Sequence, residues 1–374
     1  MSGVDILKFI VTPWHESLKN PAEAQQKTLQ TLLSGYAKTD YGKKHSADTI
    51  KDGSAFGSNF PTLNYQNLKL PLEEVKAGNY LALLSEPPIC WVMTRGSTGQ
   101  SKVLPITKTH IEQIFSCGAR AITNYALRTN SMDVLNGKIL NLNFPSNVNI
   151  MDDGGNKITY GYSSGTYAKL NPMLNQVSLL PRQEEIDALG AGITRADWEK
   201  RFELVYSSAL NQPVVAAMGV TPVILSFAKY VKHKHGKLPK ELWNLKVIVC
   251  TSVRKIHFKY GPVLRKYFGY VPIVEMYSAT EGAFMQQLNG LPYLSPNYDV
   301  YYFEVQTGKG TKMLHELKRG EWGKIIISSC LFPRYDIGDM VEAMGKNYFR
   351  IFGRNKPLTI LEHRLYRLLY GWFM

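Results

Sequence analysis

Thr94-Arg95-Gly96-Ser97-Thr98-Gly99-Gln100-Ser101-Lys102 is a glycine- and hydroxyl-rich run closed by a lysine and set between two short apolar stretches. Gly96 and Gly99 allow tight turns that bring backbone N–H groups close to an anion. Ser97, Thr98 and Ser101 offer hydroxyl donors, and Lys102 adds a cation. Together they suit a phosphate. The run departs from the P-loop of the common NTPases, where lysine directly follows the second glycine; here Gln100 and Ser101 intervene. Its flanks, residues 89–93 (ICWVM) and 103–106 (VLPI), have strand character, so the loop is predicted to join two strands instead of launching a helix. On these nine residues alone, a plain hairpin loop built of turn residues is an equal reading.

A chain of 374 residues with 44% hydrophobic content buries a large core, which argues for a globular protein of two or more subdomains and against disorder. The net charge of +14 favours anionic partners: nucleotides and carboxylates, but equally nucleic acid or an acidic membrane surface. The densest basic cluster, residues 229–240 (KYVKHKHGKLPK), reads as a solvated helix end running into a loop, so no nucleic-acid partner is expected. Cys90, Cys117, Cys250 and Cys330 are too widely spaced for a zinc knuckle and suggest reduced, structural thiols. The N-terminus lacks the pattern of a signal peptide. The apolar residues 213–228 are interrupted by Gly219, Thr221, Pro222 and Ser226 and read as a core helix, not a membrane span. A cytoplasmic protein with no membrane partner is the resulting expectation.

Along the chain, Leu29, Leu32, Leu33 and Tyr36 give residues 5–40 helical spacing, ended by Thr39-Asp40-Tyr41-Gly42. After the loop, Thr109-x-x-Glu112 is a capping box for a helix with an apolar face of Ile111, Ile114, Phe115, Ala121, Ile122 and Tyr125. Residues 138–144 read as a strand, and Asp152-Asp153-Gly154-Gly155 as a hairpin turn in preference to a metal site. Gly161-Tyr162-Ser163-Ser164-Gly165 matches the G-x-S-x-G elbow of serine hydrolases. The polar–apolar alternation before it and Pro172 after it favour a substrate-lining loop instead.

The second half alternates helix and strand, the rhythm of a parallel, helix-covered sheet. Residues 198–210 and 214–232 read as helices, 245–250 as a buried strand, 260–268 as a helix and 274–277 as a strand. At the carboxyl end of that strand stands Tyr277-Ser278-Ala279-Thr280-Glu281-Gly282, where open α/β sheets bind ligands. An aromatic, a hydroxyl and a carboxylate there suit a base, a phosphate and a magnesium ion. Arg334-Tyr335-Asp336-Ile337-Gly338-Asp339 reads as ending in a glycine–aspartate turn, with Asp339 a candidate acceptor for a ribose diol.

TRGSTGQSK, YSATEG, RYDIGD and Phe352-Gly353-Arg354 occur in the order and approximate spacing of the core motifs of the acyl-adenylate-forming superfamily. Within it, the chain most resembles the auxin-responsive acyl-acid amido synthetase family (auxin-responsive promoter family). The resemblance runs from about residue 25 to 354 and includes Leu32-Leu33 to Gly42, the Phe60-Pro61 to Tyr65 turn, residues 81–93, and Leu104-Pro105. It implies an α/β adenylating core, residues 1–353, with helix-covered sheets and a smaller β-rich subdomain.

It also implies a ligase. The 94–102 loop (Thr94, Gly96, Ser97, Thr98, Gly99 and Lys102) would hold the β- and γ-phosphates of ATP. Tyr277 would stack near adenine, Thr280 would touch the phosphate or acyl group, and Glu281 would hold Mg2+. Asp339 would bind the ribose, and Arg354 would sit at the hinge to a lid. Lys102, Thr280 and Glu281 are the implied catalytic residues. The implied partners are a small carboxylic acid and an amino acid acceptor; the oligomeric state is left open. Three other readings remain: an acyl-CoA or acyl-protein ligase of the same superfamily, a serine hydrolase, and a non-catalytic nucleotide- or RNA-binding remnant.

Two positions depart from the family pattern: Arg95, usually serine, adds charge to a phosphate site, and Asp336, where arginine is usual, reverses a charge beside the ribose. Beyond Arg354 the family continues into a lid of about a hundred residues, the size of a small domain, whereas residues 354–374 form an atypical basic and aromatic tail. Truncation, a frameshift or a split gene would each account for it, and weak or absent complete turnover by this chain alone is expected.

Overall fold

The computed structural model describes residues 3–96, 101–153, 155–172, 179–251 and 253–370. Strand Pro88–Met93 pairs antiparallel with Val103–Thr107, so the loop does bridge a hairpin, as its flanks indicate. Residues 97–100 (Ser97, Thr98, Gly99 and Gln100) lie outside the described residues. The hairpin belongs to a four-stranded sheet in which Asn156–Tyr162 runs parallel to Pro88–Met93, with Asn149–Asp153 beyond it. Gly161 sits where a Cβ would come within 2.3 Å of the Ser146 carbonyl carbon, so backbone approaches backbone there without room for a side chain.

The second sheet has twelve strands and changes character midway. Leu179–Leu180, Lys138–Asn141, Val214–Val220, Val247–Thr251 and Ile273–Ala279 are parallel neighbours. From Gly282–Gln287 onward every pairing is antiparallel. Val247–Thr251 (VIVCT) is buried along its whole length, as expected of a strand covered on both faces. Helix Lys108–Thr129 packs against the antiparallel hairpin through Ile111, Ile114 and Cys117, and against the parallel strands through Ala121, Tyr125 and Ala126. Burying each large apolar side chain contributes about 1.5–3 kcal/mol. An α/β core with helix-covered sheets and a smaller β-rich part is what the sequence implies.

Three local readings need correction. Residues 214–232 are not one helix: Val214–Val220 is a strand and Thr221–His235 a helix that starts with Pro222 in its first turn. VVAAMGV is buried on both faces of the sheet, and a strand so placed loses the alternation that would distinguish it from a core helix. The Lys108–Thr129 helix is capped by Thr107, whose hydroxyl accepts from the His110 N–H at 3.3 Å, and not by Thr109, whose N–H donates to Glu86. Finally, RYDIGD is not a terminal turn. Tyr335–Gly345 is a continuous strand, and Gly338, at φ 84°, lets it kink without ending.

The N-terminal helices Gly3–Lys19 and Pro21–Tyr36 lock onto the antiparallel half: Trp14 Nε1 donates to the Pro296 carbonyl at 2.9 Å, and Gln25 Nε2 donates to those of Tyr298 and Tyr301. At the other end, helix Pro357–Tyr370 docks beside strand Tyr348–Arg354. The four cysteines are free; burial pushes the Cys117 and Cys250 thiols up to about 12, so they stay protonated packing groups. Among the described residues no helix is long and apolar enough to cross a membrane.

Candidate active site

A cavity of about 1540 Å³ opens where the two sheets meet, and the 94–102 loop, the 161–165 run, YSATEG, RYDIGD and Gly353-Arg354 all contribute to its wall. The loop stem is closed by a reciprocal pair: the Thr94 N–H donates to the Lys102 carbonyl at 2.9 Å, and the Lys102 N–H donates to Thr94 Oγ1 at 3.0 Å. Gly96 takes φ 66°, which a side chain would resist. From this stem Lys102 reaches into the cavity. Its ammonium donates to the Tyr335 hydroxyl at 2.9 Å, lies 3.5 Å from Glu281 Oε1, and stands over the rings of Tyr65 and Tyr335. A cation so framed is held in place while keeping donors free for an anion.

YSATEG is the turn of a tight hairpin. Ile273–Ala279 and Gly282–Gln287 pair antiparallel, with Ala279 opposite Gly282, leaving Thr280 and Glu281 as the two linking residues. Three groups fix that turn: the Tyr167 hydroxyl donates to the Thr280 carbonyl at 2.7 Å, His110 Nε2 lies 3.3 Å from the same oxygen, and the Thr280 and Ser163 hydroxyls are 2.9 Å apart. Burial pulls the His110 pKa down to about 4, so a neutral imidazole with Nε2 protonated serves as a fixed donor. Glu281 is buried, with its side chain 6% exposed.

On the first arm of the same hairpin, Tyr277 donates its hydroxyl hydrogen to Asp339 Oδ2 at 2.8 Å, and Arg354 Nε lies 3.2 Å from Asp339 Oδ1. Strand pairing produces the second contact, because Asp339 and Arg354 are register partners on adjacent strands. Burial raises the Asp339 pKa, and the Arg354 cation opposes that shift. Tyr277 and Arg354 each address one carboxylate oxygen, and each oxygen keeps a further lone pair for another donor.

All eight candidate residues in the described segments thus converge: Thr94, Gly96, Lys102, Tyr277, Thr280, Glu281, Asp339 and Arg354 line one cavity. Ser97, Thr98 and Gly99 fall outside the described residues. Asp336 does not leave an open charge, since its carboxylate pairs with Lys324 Nζ at 2.8 Å and accepts from the Gly338 N–H. Arg95 lies over the Phe144 ring on the cavity wall, and burial lowers its pKa. Ser163 lies at the start of helix Ser163–Leu170, directly after a strand, yet its partner is Thr280 and not a histidine. That contact favours the lining role over a hydrolase nucleophile.

Sequence reasoning missed Tyr335, Tyr65, Tyr167 and His110. Tyr335 stands inside RYDIGD and was open to discovery as a conspicuous aromatic next to two aspartates. Tyr65 closes the Phe60–Tyr65 turn noted in the sequence but was given no role there, and Tyr167 and His110 carry no local signal.

No described group of three or more His, Cys, Asp or Glu side chains could hold a metal by itself. One buried carboxylate at Glu281 beside the Lys102 ammonium still fits Mg2+, which takes one or two protein carboxylates and completes its shell with substrate phosphates and water.

The fold is shared with solved ligases of low sequence identity. An acyl acid amido synthetase, AtGH3.15 in complex with 2,4-DB, superposes with a TM-score of 0.77 at 15% identity, covering 95% of this chain and 72% of that one. A 2-hydroxyisobutyryl-CoA ligase superposes at 0.59 and 15% identity, covering 88% and 74%. Residues 13–226, more than half of the chain, match the GH3 family N-terminal domain, and the chain belongs to the GH3 family. Over 112 residues it is 30% identical to the indole-3-acetic acid-amido synthetase GH3.2 of Arabidopsis thaliana, an alignment spanning 29% of this chain and 20% of that enzyme. The aligned stretch is about a fifth of the curated relative's length.

Proposed function

We propose that this chain activates a small carboxylic acid with ATP as an acyl-adenylate and serves amide formation with an amino acid. The observation that carries this reading is the position of Lys102, which joins the glycine-rich loop to Tyr335 of RYDIGD and Glu281 of YSATEG within 3.5 Å. Three motifs of an ATP site meet at one ammonium.

In this reading the loop amides and Lys102 take the β- and γ-phosphates, Tyr277 lies along the base, and Asp339 accepts from the ribose hydroxyls. Magnesium bound at Glu281 would supply charge neutralisation on the phosphate oxygens. The substrate carboxylate oxygen attacks the α-phosphorus, the bond to the bridging oxygen breaks, and pyrophosphate leaves. Lys102, positioned beforehand by Tyr335 and Glu281, offsets the developing charge without reorganising. Thr280, held by Ser163, Tyr167 and His110, presents its hydroxyl to the phosphate or acyl oxygen. In the second step the acceptor nitrogen attacks the acyl carbon, the bond to AMP breaks, and the nitrogen loses a proton. Residues 1–353 form the adenylating core and Arg354 the hinge. By their names, one solved structure similar to this chain is an amido synthetase and another a CoA ligase; the curated relative is also named an amido synthetase, which favours the amide.

The test is pyrophosphate release from ATP with a panel of carboxylic acids. Lys102→Ala and Glu281→Ala should abolish the signal, whereas Ser163→Ala, which removes one of the contacts that hold Thr280, should lower it without abolishing it. The reverse pattern would mark a hydrolase.

A further inference from the structure

After strand Val247–Thr251 the chain passes through Lys255 at φ 60° and then a π turn, Ile256–Tyr260. A lysine in the left-handed region is uncommon and costs conformational energy. The path brings two cations onto one carboxylate: Arg254 Nη1 is 2.9 Å from Glu362 Oε2, and Lys255 Nζ is 2.6 Å from Glu362 Oε1. Arg254, Lys255 and Glu362 all line the cavity, as do Lys259 and Lys356.

Glu362 is not what anchors its helix. His363 stacks on Phe352 with ring centroids 3.9 Å apart, and Arg367 donates to the Gly320 carbonyl at 2.7 Å. The Glu362 side chain is 42% exposed, and ion pairs of that kind contribute only about 0–1 kcal/mol. It is therefore exchangeable for another carboxylate at little cost.

We infer that Arg254 and Lys255 form a clamp for the α-carboxylate of the amino acid acceptor, and that Glu362 occupies it until the acceptor arrives. The inference rests on the amide-forming reading. In that chemistry the activated acid has lost its carboxylate charge to the adenylate, and the phosphates are met by Lys102 and the loop. Beside the adenylate's own phosphate, the acceptor's carboxylate is the anion left for these cations to meet. Gripping it by both oxygens also leaves the amine free to attack.

Calorimetric titration of the full chain with each of the twenty amino acids, and with the carboxamide of any that binds, tests this. Glu362→Gln should tighten binding of the acid by about fivefold, the weight of an exposed ion pair, and leave the carboxamide unchanged. The double variant Arg254→Gln/Lys255→Gln should weaken the acid by about tenfold, as expected for charge-assisted hydrogen bonds. ATP affinity and pyrophosphate release should be unchanged in both. If Glu362→Gln tightens no amino acid, or if acid and carboxamide bind alike, the clamp is wrong. Lowered ATP affinity in the double variant would make it a phosphate site and also overturn it. Absence of pyrophosphate release in the unmodified chain would instead defeat the adenylation reading, while acid–carboxamide discrimination would still be measurable.

Discussion

The Tyr277 hydroxyl donates to Asp339 Oδ2 at 2.8 Å, joining two motifs that lie 62 positions apart in the chain. Neither residue is placed by local structure alone. Tyr277 lies near the end of strand Ile273–Ala279, and Asp339 follows the kink at Gly338 in strand Tyr335–Gly345.

Asp339→Asn keeps the shape and removes the charge that Tyr277 and Arg354 address. ATP affinity, measured through ATP-dependent pyrophosphate release, should fall by about tenfold to a hundredfold, the weight of a hydrogen bond to a charged group. Tyr277→Phe should cost less, since Arg354 remains 3.2 Å from the carboxylate.

Tyr167→Phe removes the donor that holds the Thr280 carbonyl at 2.7 Å. Turnover should drop by about tenfold with KM for ATP little changed, because a loosened turn misplaces Thr280 without removing a ligand. A matching rise in KM would show instead that the turn only shapes binding.

Arg334 is buried against Glu304 through two contacts of 2.9 Å, and it also donates to the carbonyls of Gly57 and Phe60. Arg334→Leu should cost about 3–5 kcal/mol in denaturant unfolding, because it leaves a buried carboxylate unpaired. Adding Glu304→Leu should recover part of that loss.

Glu275 lies 3.5 Å from His257, and burial raises its carboxyl from 4.5 to about 8. The folded protein therefore prefers the protonated acid. That preference stabilises fully below about 4.5 and is lost as pH rises toward 8. Unfolding midpoints should fall across this window, and Glu275→Gln should flatten the fall and be the more stable protein at pH 8. An unchanged slope in the variant would assign the pH dependence to other groups.

Much of the site was legible because its parts are local. The 94–102 loop announces itself by glycine, hydroxyls and lysine between two strand-like runs, and YSATEG by its position after a buried strand. The loop hairpin and the rhythm of strands and helices from residue 245 onward also follow from local patterning. What composition left even, a phosphate cradle or a simple turn, was decided by the company of the other motifs.

Tertiary structure alone decided the rest. Lys102 and Tyr335 are 233 positions apart, and only the meeting of the two sheets brings them to 2.9 Å. Residues 214–220 looked helical because a strand covered on both faces shows no alternation, and sequence periodicity records only whether one face differs from the other. His110 and Tyr167 had no motif to mark them, since holding a carbonyl asks for a donor at one point in space and for nothing in the neighbouring sequence. Local chemistry determined which residues could act on a nucleotide; the topology of the sheets determined which of them touch.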